Sequence, residues 1–193
     1  VLTAMRATGA SRLVFTSSGS VFGITDQVPT PETIGPLLPM SLYAAGKVGA
    51  EALISACCHT FGFRAWIYRF GNVVGGRMTR GVTHDFIHKL RGNPQTLEIL
   101  GDGQQEKSYI LVEEIVDGML YGLEHADVAP CDVFNLSHPE TIIVDEIARV
   151  IVAEMALPNV VYTYTGGRSG WPGDQYLAKL DVSKMKALGW AAQ

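Results

Sequence analysis

Residues 41–72 read SLYAAGKVGAEALISACCHTFGFRAWIYRFGN, and within them the pattern changes from helical to strand-like. Ser41 is the residue type that caps a helix N-terminus. A helix is expected from there through about Thr60, with Gly62 suited to the left-handed turn that ends it. Phe63–Phe70 (FRAWIYRF) is short, aromatic and apolar, as a buried strand is. Upstream, Ser11–Thr16 (SRLVFT) is a second β-rich run, and the small residues Ser17-Ser18-Gly19-Ser20 after it read as a turn. Strand, helix and strand in that order require a crossover, so the two strands run parallel. A ligand site is then expected outside their carboxyl ends.

The rest of the chain continues the alternation. A short helix precedes Ser11, and residues 24–40, with Pro29, Pro31, Pro36 and Pro39 and no periodicity, form a long loop. Helices are expected at Val82–Leu90, Val112–His125, Val144–Ala156 and Asp181–Leu188, and strands at Leu97–Leu100, Asp132–Leu136 and Val160–Thr165. In the third of these helices Ile147, Val150, Ile151 and Met155 share one face, expected to be buried. A glycine-rich loop spans 166–173. The fold class is therefore α/β.

Composition limits what this fold could do. With 193 residues, 47% of them hydrophobic, the chain can bury one sizeable core and a small lobe. A formal net charge of −4 without a basic stripe argues against a nucleic-acid partner. No apolar run approaches the roughly 18–20 residues that cross a bilayer, so no membrane association is expected. The three cysteines, Cys57, Cys58 and Cys131, cannot all pair, and adjacent Cys57 and Cys58 suit neither a bridge nor metal-ligand spacing. Free buried thiols, no resident metal and a reducing, cytoplasmic location are the expectations.

Tyr43 and Lys47 stand four apart on the expected helix, on one face and one turn from each other. A phenol is a poor acid or base near neutrality, its ordinary pKa being about 10, and a nearby ammonium favours its anion. Such a pair suits proton transfer, although the same spacing also arises from a half-buried tyrosine and a solvated lysine. Ser17, Ser18 and Ser20 follow a strand at the same sheet edge, where a hydroxyl could hold a substrate oxygen beside the tyrosine.

Ordered blocks then make the pattern specific: LVFTSSGSVFG, SLYAAGK with Glu51 after it, YRFGNVVG, GDGQQEKSYILVEEIVDG, VFNLS, and GWPGD before LDVSKMKALGW. Together they resemble the extended short-chain dehydrogenase/reductase family in its NAD-dependent epimerase/dehydratase branch. Nucleotide-sugar epimerases of the UDP-glucose 4-epimerase type are the nearest in pattern. The resemblance implies a Rossmann-like parallel sheet, of which this chain carries the C-terminal portion, and a smaller α/β substrate lobe. Residues 1–80 would be the remainder of the NAD-binding domain and 81–193 mainly the substrate lobe, with the strand at 132–136 the one element that could return to the sheet.

The resemblance also implies roles. Tyr43 falls on the catalytic base/acid, Lys47 on the lysine that binds the nicotinamide ribose, and Ser18 on the residue that polarises the sugar hydroxyl. Ser17, Phe70 and Gly71 neighbour the cofactor, while Asn72, Lys107 and Arg168 are expected to meet the nucleotide-sugar. Lys107 stands where the family usually has an arginine, and so does Trp171, with Arg168 a substitute three residues earlier. Gly19 and Ser20 stand where dehydratases carry an Asp-Glu pair, which argues against dehydration because no general acid is supplied. The implied function is NAD-dependent interconversion at C4 of UDP-glucose and UDP-galactose, in a homodimer.

The alternatives are an NAD(P)-dependent nucleotide-sugar reductase, decarboxylase or other dehydrogenase on the same fold, and a truncated, non-catalytic binding module. No G-x-G-x-x-G or G-x-x-G-x-x-G turn opens a helix in the chain. The resemblance therefore implies strand–helix units before Val1. The expectation for residues 1–193 alone is little NAD affinity and a tendency to associate through an unpaired strand edge.

Overall fold

A computed structural model describes residues 1–193. In chain order the elements are α1 (Leu2–Thr8), β1 (Arg12–Ser18), α2 (Leu42–Phe61), β2 (Arg64–Phe70), β3 (Asn72–Val74), α3 (Val82–Gly92), β4 (Thr96–Ile99), β5 (Glu106–Lys107) and β6 (Tyr109–Leu111). They continue with α4 (Val112–His125), β7 (Cys131–Leu136), β8 (Ile142–Ile143), α5 (Val144–Glu154), β9 (Val161–Tyr164), β10 (Leu177–Ala178) and α6 (Ser183–Leu188).

The central sheet is parallel, in the order β1-β2-β7. β2 is its middle strand and is buried on both faces, which is why it reads as a continuous apolar run. Its alternation divides the core. Ala65 and Ile67 pack with Met5, Ile54 and Cys58 on the side of α1 and α2. Trp66 and Tyr68 point the other way, into a cluster with Ile115 of α4, Phe134 of β7, and Met185 and Trp190 from the C-terminal region. α4 approaches this face closely because it carries glycines there: a Cβ on Gly122 would lie 2.5 Å from the Tyr68 hydroxyl, and one on Gly118 2.8 Å from the Trp190 ring.

A second core lies between α3, α5 and the parallel pair β4-β9, around Phe86, Leu90, Leu97, Ile99, Ile147 and Ile151. Val150 is not part of it; at 52% exposure it faces solvent, and Ala148 takes the buried place beside Ile147 and Ile151. The buried stripe of α5 is thus shifted by part of a turn from the expected face. α5 ends at Glu154, and α6 begins at Ser183, so both helices are shorter than their sequence patterns. The loop 24–40 contains no helix and only a single bridge, Thr30 with Leu180.

The serine cluster differs from its reading as a turn. β1 runs on through Ser17 and Ser18, which pair with Arg69 and Phe70 of β2, and only Gly19–Phe22 form a 3₁₀ turn. Residues adjacent in a strand face opposite ways, so Ser17 and Ser18 have different surroundings. All three cysteines are free thiols, but only Cys58 is buried, Cys57 and Cys131 being half-buried. Burial pushes the Cys58 thiol up to about 11, with Cys131 and Cys57 adding to the rise, so it is a packing residue.

Candidate active site

The carboxyl ends of β1 and β2, the start of α2, and the strands β5 and β10 enclose a cleft of about 390 Å³. Ser18 enters it from the last residue of β1 and Ser20 from the 3₁₀ turn. Their hydroxyls are 2.9 Å apart, and Ser18 Oγ also accepts from the Ser20 amide at 3.2 Å. Tyr43 enters from the first turn of α2, fixed by the Ser41 hydroxyl, which accepts from the Ala44 amide at 3.2 Å. The tyrosine ring is bare, with 61% of the residue exposed. Lys47, one turn on, donates from Nζ to the Thr16 carbonyl at 2.7 Å and lies 5.6 Å from the centre of the Tyr43 ring. The ammonium is thereby tied to the strand that ends in Ser18, so strand, lysine and tyrosine form one assembly.

Phe70, Gly71 and Asn72 form the floor where β2 ends. Gly71 is required there, since a Cβ would come 2.2 Å from Ser137 Oγ. Asn72 donates from Nδ2 to the Ser108 carbonyl at 3.1 Å. Asn72, Lys107, Trp171 and Asp174 line this cleft and also a second one, of about 470 Å³. Arg80, the N-terminus of α3 (Gly81, Val82, Thr83), Phe86 and Tyr109 contribute to the second. The two halves meet at this waist. An arginine beside a helix N-terminus is a place for an anion.

Three expected residues are placed differently from the others. Ser17 is buried and donates its hydroxyl to Glu51, so it turns from the cleft. Lys107 is ion-paired with Asp174, whose other oxygen accepts from the Gly170 amide at 3.0 Å. Arg168 lies over the Tyr176 ring at 4.5 Å, exposed and lining neither half. The half-buried phenol of Tyr109 is pushed up to about 12, by burial first and by the Asp174 charge second.

Sequence reading passed over two groups. Glu51 was one letter of a motif, yet it binds Arg69 through two bonds, of 3.1 and 2.6 Å, and takes the Ser17 hydroxyl, all three residues being buried. Arg69 also donates to the Glu32 carbonyl at 3.1 Å, tying the proline-rich loop to the sheet. A charge in the buried β2 run was the available signal, because a buried arginine needs a carboxylate. Lys179, the other cation of the tyrosine half, is half-buried and in no salt bridge. No local signal marked it.

Residues 1–137 match the NAD dependent epimerase/dehydratase family. UDP-glucuronic acid decarboxylase 4 of Arabidopsis thaliana is 32% identical over 189 residues, covering 93% of this chain and 41% of that protein. A crystal structure of UDP-galactose 4-epimerase superposes with a TM-score of 0.88 at 34% identity, over 100% of this chain and 61% of that one. The Thermus thermophilus UDP-glucose 4-epimerase, in complex with NAD, superposes with a TM-score of 0.83 at 26% identity, over 100% of this chain and 62% of its own. The chain thus spans about two fifths of that curated relative and about three fifths of the solved structures.

Proposed function

The chain belongs to the NAD-dependent epimerase/dehydratase family, and on that premise we propose that its cleft serves transient oxidation of a nucleotide-sugar, with inversion at the sugar C4 as the net reaction. The observation that carries this reading is the convergence of Ser18, Ser20 and Tyr43 on one cleft at the carboxyl ends of parallel strands, with Lys47 one turn behind Tyr43. Tyr43 takes the proton of the sugar hydroxyl and returns it, and Ser18 holds that hydroxyl in place. Lys47, anchored on Thr16, holds its ammonium beside the Tyr43 ring.

Bound NAD supplies a reversible hydride acceptor, chemistry no side chain offers. The residues of this half fit its nicotinamide end: Tyr43 offers an exposed phenol, with Lys47 one turn behind it, and Gly71 leaves bare backbone next to Phe70. Ser17 takes no part, its hydroxyl being committed to Glu51. Arg80 and the α3 N-terminus, in the other half, suit the phosphates of the nucleotide.

The tyrosine half contains one carboxylate, Asp174, and it is engaged by Lys107 and Gly170. Elimination of water calls for a free general acid, whereas removing and returning a hydride asks only for the tyrosine pair. Inversion therefore fits the cleft better than dehydration. A second reading is decarboxylation of a nucleotide-linked uronic acid, favoured by Lys179 in this half and by the likeness to a UDP-glucuronic acid decarboxylase. A ketone at C4 is β to that carboxylate, so the electrons of the C5–C6 bond pass into an enolate as carbon dioxide leaves; C5 then takes a proton from solvent and C4 takes back the hydride, and Lys179 would hold the carboxylate beforehand.

Incubation of the full-length protein with saturating NAD and, separately, UDP-glucose, UDP-galactose and UDP-glucuronic acid decides between the readings. Interconversion of the first two supports inversion, and release of carbon dioxide from the third supports decarboxylation. Turnover of none of them removes both.

A further inference from the structure

The waist between the two halves of the cleft, shared by Asn72, Lys107, Trp171 and Asp174, offers an aromatic surface and no unpaired charge. Its single cation, Lys107, is already neutralised by Asp174, and its largest exposed surface is the indole of Trp171. Trp171 is 53% exposed and lines both halves.

The indole is held by a built turn. The Asp174 amide donates to the Trp171 carbonyl at 3.0 Å, closing Trp171-Pro172-Gly173-Asp174, and Gly173 has φ 90°. Proline second and a positive-φ glycine third is the pattern of a type II turn. The turn is clamped at its end by the Asp174 carboxylate, which engages Lys107 and the Gly170 amide. It also presses on the segment before α2: a Cβ on Gly173 would lie 3.1 Å from the Met40 carbonyl and 3.4 Å from the Trp171 ring. Met40 precedes Tyr43 by three residues, and both line the same half of the cleft. The indole therefore stands on the wall that presents the proton-transfer tyrosine.

We propose that Trp171 is a specificity-determining residue, a stacking platform for the pyranose ring of the nucleotide-sugar. The proposal rests on the nucleotide-sugar reading above and adds which part of that ligand the waist selects. A sugar ring has an uncharged face of C–H groups that matches an indole, and a neutralised ion pair gives a phosphate little reason to sit there. The platform holds the ring where Tyr43 reaches its hydroxyl, while the phosphates lie toward Arg80 and α3.

The chain offers its own probe. Of its three tryptophans, Trp66 is 1% and Trp190 7% exposed, so an aqueous quencher such as acrylamide reads Trp171 almost alone. UDP-glucose, at concentrations that calorimetry shows to saturate the protein, is expected to shield the accessible tryptophan emission, and saturating UDP is not. Trp171→Ala should weaken UDP-glucose about tenfold and leave UDP within about twofold, with Trp171→Phe restoring most of the loss. Equal weakening of both ligands, or calorimetric binding of UDP-glucose with unchanged quenching, overturns the platform and leaves the nucleotide-sugar reading standing. No calorimetric binding of UDP, UDP-glucose or UDP-glucuronic acid overturns both.

Discussion

Tyr43 projects from the first turn of α2 with its ring bare, and only its hydroxyl can carry the chemistry proposed for it. Tyr43→Phe removes that oxygen and nothing that packs. In the full-length protein turnover should fall by about 10²–10⁴-fold, the usual worth of a proton-transfer group, with an unchanged circular dichroism spectrum; full turnover by the phenylalanine protein would remove Tyr43 from the role. Glu51 lies two turns further along the same helix and fails differently. It pairs with Arg69 through two bonds and accepts from Ser17, with both charged side chains under a tenth exposed. Glu51→Ala leaves the guanidinium buried without its partner and should cost about 3–5 kcal/mol in urea unfolding, whereas Glu51→Ala with Arg69→Met should cost distinctly less. An additive double variant would mean that the pair is not coupled. These residues also mark how far the site was legible in the sequence. Spacing along one helix brought Tyr43 and Lys47 together, because helical neighbours are a local matter. The fate of Lys107 was not legible, since Asp174, which captures it, is 67 positions away. Composition alone did not separate Ser17 from Ser18; the resemblance put Ser18 on the sugar hydroxyl and Ser17 beside the cofactor, and β1, running two residues further, turns them to opposite faces.

At the scale of elements, α4 shows why a helix can carry glycine in its middle. Alanine is favoured over glycine there by about 1 kcal/mol on propensity alone. At Gly122, however, a Cβ would stand 2.5 Å from the Tyr68 hydroxyl, which donates to the Met119 carbonyl at 3.0 Å. The side chain of Tyr68 is fully buried and cannot step aside, so overpacking by about 1–3 kcal/mol is expected to outweigh propensity. Gly122→Ala should thus lower the midpoint of thermal unfolding; a rise would mean that α4 shifts outward at little cost. The elements that sequence reading found are those whose partners impose a long pattern. β1, α2, β2, α4 and β7 bury whole faces, and their apolar residues repeat accordingly. The two- and three-residue strands β3, β5, β6, β8 and β10 have no room for a period. They exist because distant backbone pairs with them, as Glu106 and Lys107 do with Leu177 and Ala178 on one side and Ile143 and Ile142 on the other. Val150 fell on the wrong side for a related reason: the core between α3 and β4 decides which stripe of α5 it covers, and it covers Ala148 instead.

For the whole molecule, two consequences follow from what is buried and what is bare. Burial pushes Tyr68 up to about 12, and burial with the Asp174 charge pushes Tyr109 to the same range. Both folded values lie above the ordinary 10.0, so the stability they contribute is complete below pH 10 and is lost as pH rises toward 12. Near-ultraviolet titration should show Tyr68 and Tyr109 among the last of the seven tyrosines to ionise, together with unfolding. Ionisation of all seven before the far-ultraviolet dichroism changes would contradict this. The bare surfaces point to association. β1 is hydrogen-bonded on one side only, by β2, and leaves a parallel edge open. Beside it α2 exposes Leu42 at 94% and Leu53 at 62%, an apolar face no element of the chain covers. Sedimentation of residues 1–193 should therefore show mass rising with concentration, and a dilute, stable monomer would refute the expectation. Leu53→Lys separates the two surfaces. If copies meet through α2, burying an ammonium there abolishes the association, whereas pairing along the β1 edge leaves it unchanged, because Leu53 lies on the helix and not on the strand. The helix face exposes large apolar side chains and the edge only backbone, so loss of association with Leu53→Lys is the expected result.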